Sequence, residues 1–160
     1  MALVRIDRNG KRHYSRRKVL GDLREICGDR LPFFISLTKK YGLDLASPDP
    51  KHCVVEKAHN ACAIHYNTRT VYIGDFDYPE CQVAGVFHEI GHWEFFEHHY
   101  GRYWTDSKES REKAAWRIGM ALMRKQGLKP NSRVLKFRSD CLKSYAGSTD
   151  WTGLEQEINK

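Results

Sequence analysis

Two histidines and a glutamate, His88, Glu89 and His92, form the pattern His-Glu-x-x-His. In a helix, residues four apart differ by about 40° around the axis and ~6 Å along it, so both imidazoles can bind one metal ion. Glu89 lies about 100° from His88, where its carboxylate can accept a proton from a water molecule beside that ion. The pattern predicts Zn²⁺, because this ion accepts imidazole and carboxylate ligands and, in catalytic sites, keeps one position for water.

A catalytic zinc needs a third protein ligand, and one candidate is His98, six residues after His92. The longer motif H-E-x-x-H-x-x-G-x-x-H uses its glycine to return the chain to the metal. Here the glycine position holds Phe95. If the helix continues through Phe95, His98 lies about 240° around the axis from His92 and points away. We therefore expect His98 to be a solvated residue at the helix end.

The other two candidates, Glu112 and Glu109, are glutamates of the following helix. Glu112 is followed by Ala115 at i+3 and Gly119 at i+7, and this face of small residues would let two helices approach closely. The face of Glu109 carries larger side chains. Either glutamate could also be an ordinary first-turn acid favoured by the helix dipole. We favour Glu112 as the ligand, with Glu109 and His98 as alternatives.

Apolar periodicity and capping residues predict the elements that position these side chains. Strands are expected at residues 53–55, 61–66 and 71–74, with a hairpin turn at 67–70. Helices are expected from a cap at Ser15, from Pro32 to Gly42, from Asp77 through Phe96, from Asp106 to Gly127 and from Asn131 onward, with an irregular connector at 44–51. The last helix has a predicted inward stripe of Val134, Leu135, Arg138, Cys141, Leu142 and Tyr145. These elements predict an α+β fold, with a small antiparallel sheet packed on the His-Glu-x-x-His helix.

Composition limits the classes of protein that this sequence can form. A chain of 160 residues suits a single domain over residues 1–160, with its core at about 15–145. Apolar runs are too short for a membrane span, and the basic start lacks a secretory signal. The five cysteines contain no C-x-x-C pair. We therefore expect a cytoplasmic protein with reduced cysteines.

The net charge of +7 is distributed unevenly. Residues 1–20 and 124–143 each carry seven Lys or Arg against one Asp, whereas residues 70–100 carry six acidic residues and no Lys or Arg. Such basic segments could contact nucleic acid, but an internally compensated surface is the favoured interpretation.

Residues 61–123 resemble the ImmA/IrrE-type zinc metallopeptidases. The resemblance lies in the hairpin at 61–74, in His88-Glu89-Ile90-Gly91-His92, and in Glu112-x-x-Ala115-x-x-x-Gly119-x-x-Leu122-Met123. It implies a zincin-like domain in which His88, His92 and Glu112 bind zinc and Glu89 is the general base. It also implies cleavage of a protein, often a transcriptional repressor or a phage regulatory protein.

The expected activity is therefore that of a zinc-dependent endopeptidase acting on a protein or peptide substrate. Tyr100, Tyr103 and His65 are unranked candidates for stabilising the oxyanion. An unpaired edge at residues 71–74 could align an extended substrate through backbone hydrogen bonds. Two rivals remain: a non-catalytic, metal-containing regulatory or nucleic-acid-binding protein, and a zinc hydrolase that cleaves a bond other than a peptide bond.

Overall fold

The computed structural model describes residues 1–16, 21–48 and 59–146, without the side chains of residues 102–104. The described chain divides into two compact units, one that ends at Asp77 and one that begins at Tyr78. All strands belong to the first unit and the two longest helices to the second, so the predicted α+β class is confirmed. The single domain over residues 1–160 stays a prediction. Within the described ranges, no helix is long and apolar enough to cross a membrane.

The first unit is built on a mixed sheet of five strands. The strands are β1 (Ala2–Ile6), β2 (Arg12–Ser15), β3 (Asp44–Ala46), β4 (Cys62–His65) and β5 (Thr70–Ile73), in the spatial order β2-β1-β3-β5-β4. β3 and β5 are parallel, and the other neighbouring pairs are antiparallel. The predicted β4–β5 hairpin is confirmed, but the prediction of a small, purely antiparallel sheet is wrong. The predicted strand at 53–55 lies outside the described residues.

The N-terminal hairpin was not expected, and the predicted helix cap at Ser15 is wrong because Ser15 is the last residue of β2. The pairing register shifts between Leu3 and Arg5. The buried residues of β1, Leu3 and Ile6, are therefore three positions apart rather than two. This irregularity hides the alternation by which a strand is recognised in a sequence.

Strand β5 lies between β3 and β4, so the prediction of an unpaired edge at residues 71–74 is wrong. All residues of β5 are buried, which is typical of a strand with neighbours on both sides. The predicted connector at 44–51 is also wrong at its start, where β3 forms. There the carboxylate of Asp44 lies 3.0 Å from Arg5 and 3.1 Å from Arg8, and these ion pairs accommodate an acid in a buried strand.

The helices of the first unit are short. Asp22 caps α1 (Leu23–Cys27) by accepting a hydrogen bond from a backbone N–H, and a single 3₁₀ turn (Gly28–Arg30) leads into α2 (Leu31–Lys40). Helix α2 confirms the predicted helix at this position, with Pro32 in its first turn. The core of this unit contains the fully buried residues Leu3, Leu23, Phe34, Leu43, Leu45, Val71 and Ile73.

The second unit is helical in its described part. Its helices are α3 (Pro79–His98), α4 (Tyr100–Thr105), α5 (Lys108–Lys125) and α6 (Ser132–Ser144). Helices α3, α5 and α6 confirm three predictions, but two predicted caps are wrong by one residue. The cap of α3 is Tyr78 rather than Asp77, and α5 is capped by the side chain of Ser107 rather than Asp106. Asn131 caps α6 as predicted.

The predicted inward stripe of α6 is wrong at Leu135, which is 41% exposed. Val134 is buried as predicted, and the ring of Phe137, which the predicted stripe omitted, contacts that of Trp116 edge-on, with 5.7 Å between centroids. Further along this helix, the ring of Tyr145 lies 4.8 Å from Nζ of Lys108. Helix α6 thus places its aromatic side chains against α5.

Candidate metal centre

Helices α3 and α5 approach each other closely because glycine occupies both sides of the contact. A Cβ atom on Gly119 would lie 2.6 Å from the carbonyl oxygen of Phe87, and one on Gly91 would overlap the carbonyl oxygen of Ala115. The face of small residues on α5 therefore packs as predicted. Gly91, an unspecified position of the His-Glu-x-x-His pattern, was not recognised as its counterpart.

Replacing Gly119 with alanine is expected to reduce the free energy of unfolding by about 1–3 kcal/mol, because the added methyl group meets backbone atoms that cannot rotate away. The matched control is Gly101→Ala, at a helical glycine where an added Cβ atom would have no neighbour within 4 Å among the described atoms. The control should be neutral or stabilising by up to ~1 kcal/mol. Urea titration measures both variants, and equal stability of the two would contradict the close helix contact.

The close approach of the helices brings His88, His92 and Glu112 together. Nε2 of His88 lies 2.9 Å from Oε2 of Glu112, and Nε2 of His92 lies 3.1 Å from Oε1 of the same carboxylate. All three side chains are buried, and one potential ligand atom from each lies within 4.8 Å of the others. This group could bind a metal ion.

The protonation states that the surroundings favour suit a metal ligand. Burial lowers the pKa of His88, and neighbouring His92 and Lys108 act in the same direction against the opposing charge of Glu112. Burial alone would raise the pKa of Glu112, but His92 and His88 outweigh it and hold that pKa well below its ordinary value. A neutral imidazole, as favoured at His88, and an ionised carboxylate, as favoured at Glu112, are forms that bind metals.

One carboxylate oxygen of the site lacks a hydrogen bond among the described residues and could be satisfied by a bound cation. Oε2 of Glu112 faces His88 without the alignment of a hydrogen bond, and it has no hydrogen-bond partner within the described part of the chain. Buried polar atoms normally have partners. A cation between the two imidazole nitrogens and this carboxylate would satisfy that oxygen, and the ligand set is one that Zn²⁺ accepts.

Glu89 lies on α3 between the two histidines and is 7% exposed. Burial raises the pKa of the Cys141 thiol to about 12, and the charges of Glu112 and Glu89 contribute to the increase. Both carboxylates therefore act electrostatically on the same side chain of α6.

The alternative third ligands do not join this group. Helix α3 continues through Phe95 to His98, whose side chain is 67% exposed and contacts Glu94 at 3.1 Å, as predicted for a residue that points away. Glu109 contacts Lys113 at 3.0 Å on the exposed side of α5.

The three candidates for stabilising an oxyanion have different surroundings. Tyr100 is 57% exposed. His65 belongs to β4, where its Nδ1 accepts a hydrogen bond from the backbone N–H of Thr68 at 3.2 Å. The side chain of Tyr103 lies outside the described structure. None of the three is assigned this role by the geometry.

Two neighbours of the site were not identified from the sequence. Lys108 is buried, with Nζ 3.8 Å from Oε1 of Glu112. The indole of Trp116 stacks on the imidazole of His88, with 4.2 Å between centroids and 22° between the planes. Lys108 precedes Glu112 by four residues and Trp116 follows it by four, so all three side chains share one face of α5. This spacing is a sequence signal from which both neighbours could have been identified.

Together, the fold and the site define an α+β chain with a buried group of two histidines and one glutamate that could hold a metal ion. A scan against protein-family models, a search of curated proteins and a search of solved structures each found no match.

Proposed function

We propose that this chain is a zinc-dependent endopeptidase that hydrolyses a peptide bond in a protein substrate. The observation that supports the proposal is the buried convergence of His88, His92 and Glu112, with Glu89 on the same helix as both histidines. The resemblance to the ImmA/IrrE-type metallopeptidases supports the same activity and suggests a regulatory or repressor protein as the substrate. The five cysteines contain no C-x-x-C pair, which suits a reducing compartment such as the cytosol.

In this proposal, His88, His92 and Glu112 hold the zinc ion. When bound, Zn²⁺ would polarise the scissile carbonyl and lower the pKa of a water molecule. The three side chains would supply two imidazole nitrogens and one carboxylate, a donor set that a catalytic Zn²⁺ accepts.

Glu89 moves the proton in the proposed reaction. Its carboxylate accepts a proton from the attacking water as the oxygen bonds to the scissile carbonyl carbon. The protonated carboxyl group then donates that proton to the nitrogen of the leaving amine as the carbon–nitrogen bond breaks. One residue thus acts first as base and then as acid, and no other proton carrier is needed.

Metal analysis tests the first half of the proposal. The purified chain is expected to bind about one zinc per molecule, and His88→Ala is expected to lose it, because one of three ligands is removed. His98→Ala is the control, since His98 is exposed and outside the group. Elemental analysis gives the stoichiometry. Retention of a full equivalent of zinc by His88→Ala would exclude this metal site.

Peptide hydrolysis tests the second half. Incubation of the zinc-loaded protein with a mixture of unrelated denatured proteins, followed by mass spectrometry of new N-termini, should reveal cleavage that a chelator abolishes. Cleavage unaffected by the chelator would contradict zinc-dependent catalysis.

One observation favours a second candidate, a non-catalytic, metal-containing regulatory or nucleic-acid-binding protein. All three potential ligands are less than a tenth exposed, which limits the access of a substrate to an ion bound there. In addition, most of the basic side chains in residues 124–143 are exposed. DNA binding that falls steeply with salt concentration, without any metal-dependent proteolysis, would favour this candidate over the enzyme.

A further inference from the structure

The imidazole of His88 has one face against the indole of Trp116. The two rings are nearly parallel, at 22°, with 4.2 Å between their centroids, and Trp116 is 2% exposed. Stacked aromatic pairs gain energy beyond the burial of their surface and restrict how each ring can turn. The stack therefore acts on the orientation of a potential metal ligand.

The usual constraint on such a ligand is different. A metal-binding histidine normally donates its second ring N–H to a carboxylate, a carbonyl or a water molecule, which sets the direction of the other nitrogen. Among the residues that the structure describes, Nδ1 of His88 is buried and has no hydrogen-bond partner. The His88 ring is contacted by the ring of Trp116, which stacks on it, and by that of His92, edge-on with 4.6 Å between centroids.

Trp116 is itself held in a defined position. It follows Glu112 by four residues, so it lies one turn further along the same face of α5, about 6 Å along the axis. The ring of Phe137 on α6 contacts it edge-on, at 79° and 5.7 Å between centroids. A single helix face thus presents both the carboxylate ligand and the ring that restrains the opposing histidine.

We propose that Trp116 is a positioning residue of the metal centre. Its stacking on His88 fixes the orientation of the imidazole, which a hydrogen bond from the second ring nitrogen normally fixes. This inference rests on the proposed metal site but not on peptidase activity. It attributes metal affinity to a side chain that offers the ion no ligand atom.

Metal titration of the full chain tests the inference, with Co²⁺ as a visible-absorbing substitute for Zn²⁺. Trp116→Leu should weaken Co²⁺ binding by about 10–100-fold, the usual cost of losing an outer-shell partner of a ligand. Its Co²⁺ absorption bands should also shift, since the ligand geometry loosens. Trp116→Phe, which keeps an aromatic face, should retain the wild-type spectrum and affinity.

Two further variants separate orientation from stability. Trp116→Met fills much of the indole volume without a ring, and it carries the test if Trp116→Leu does not fold. Phe34→Leu removes a fully buried aromatic ring from the first unit and controls for a general loss of stability. It should leave the Co²⁺ affinity unchanged.

The possible results distinguish this inference from the proposed function. If wild-type protein binds no Co²⁺ or Zn²⁺, the proposed metal site itself fails. If wild type binds metal but the ring-lacking Trp116 variants bind it equally well with the same spectrum, the positioning role is overturned. An equal loss in Phe34→Leu would overturn it too, because stability alone would then explain the effect.

Discussion

Glu89→Gln is expected to reduce the rate of peptide hydrolysis by about 10²–10⁴-fold, the contribution typical of a positioned general base. The amide keeps the shape of the carboxylate but cannot accept the proton of the attacking water. Zinc stoichiometry should stay at the wild-type level, because Glu89 is not among the grouped ligand atoms. The measurement is kcat/KM on a cleaved peptide, with zinc content determined on the same preparation.

Glu94→Gln is the matched control for this prediction. Glu94 lies on the same helix and contacts the exposed His98, away from the buried group. Its replacement should leave both zinc content and kcat/KM unchanged. A Glu89→Gln variant that cleaves at the wild-type rate would remove Glu89 from the mechanism and strengthen the case for a non-catalytic metal protein.

Glu112→Ala is expected to weaken zinc binding by more than ~100-fold, because it removes a direct ligand. Loss of an outer-shell partner of a ligand already costs ~10–100-fold. Three protein ligands become two, and the buried Lys108 loses the carboxylate that its Nζ contacts at 3.8 Å. Competitive titration against a chromophoric chelator measures the affinity. Glu109→Ala is the control, because Glu109 lies on the same helix but contacts Lys113.

The Lys108 contact requires a second variant, because loss of zinc could follow from a misfolded site. Glu112→Gln keeps the side-chain volume and one oxygen but removes the negative charge, so it should bind zinc more weakly than wild type. Circular dichroism checks that both variants remain folded. If His98→Ala proved the costly change instead, the chain would have to bend at Phe95, against the continuous helix of the structure.

Several features of the site were accessible from the sequence because they depend on one helix at a time. The spacing of His88 and His92 sets the angle between them around the helix axis, regardless of how the helix packs in the fold. A helix that continues through Phe95 also directs His98 away from these two histidines. Likewise, the small residues Ala115 and Gly119 indicated the face of α5 that can approach another backbone, and the structure bears out that close approach.

Features that depend on distant partners were missed or misplaced. The N-terminal strands were missed because a register shift separates the buried residues Leu3 and Ile6 by three positions, whereas the regular alternation of a strand would separate them by two. The position of β5 inside the sheet depends on its pairing with β3, a strand of three residues. In the sequence, Asp44 of β3 indicates a loop, because its ion pairs with Arg5 and Arg8 form only in the folded chain.

The sequence by itself determined helices α2, α3, α5 and α6, the α+β class and the two histidines of the candidate metal group, because helical periodicity and turn signals are local properties. Only the tertiary structure decided that Glu112 rather than Glu109 meets His88 and His92, and that Trp116 lies on the face of His88. Both outcomes depend on the crossing of α3 and α5 at two glycines, where backbone contact fixes which turn of one helix faces which turn of the other.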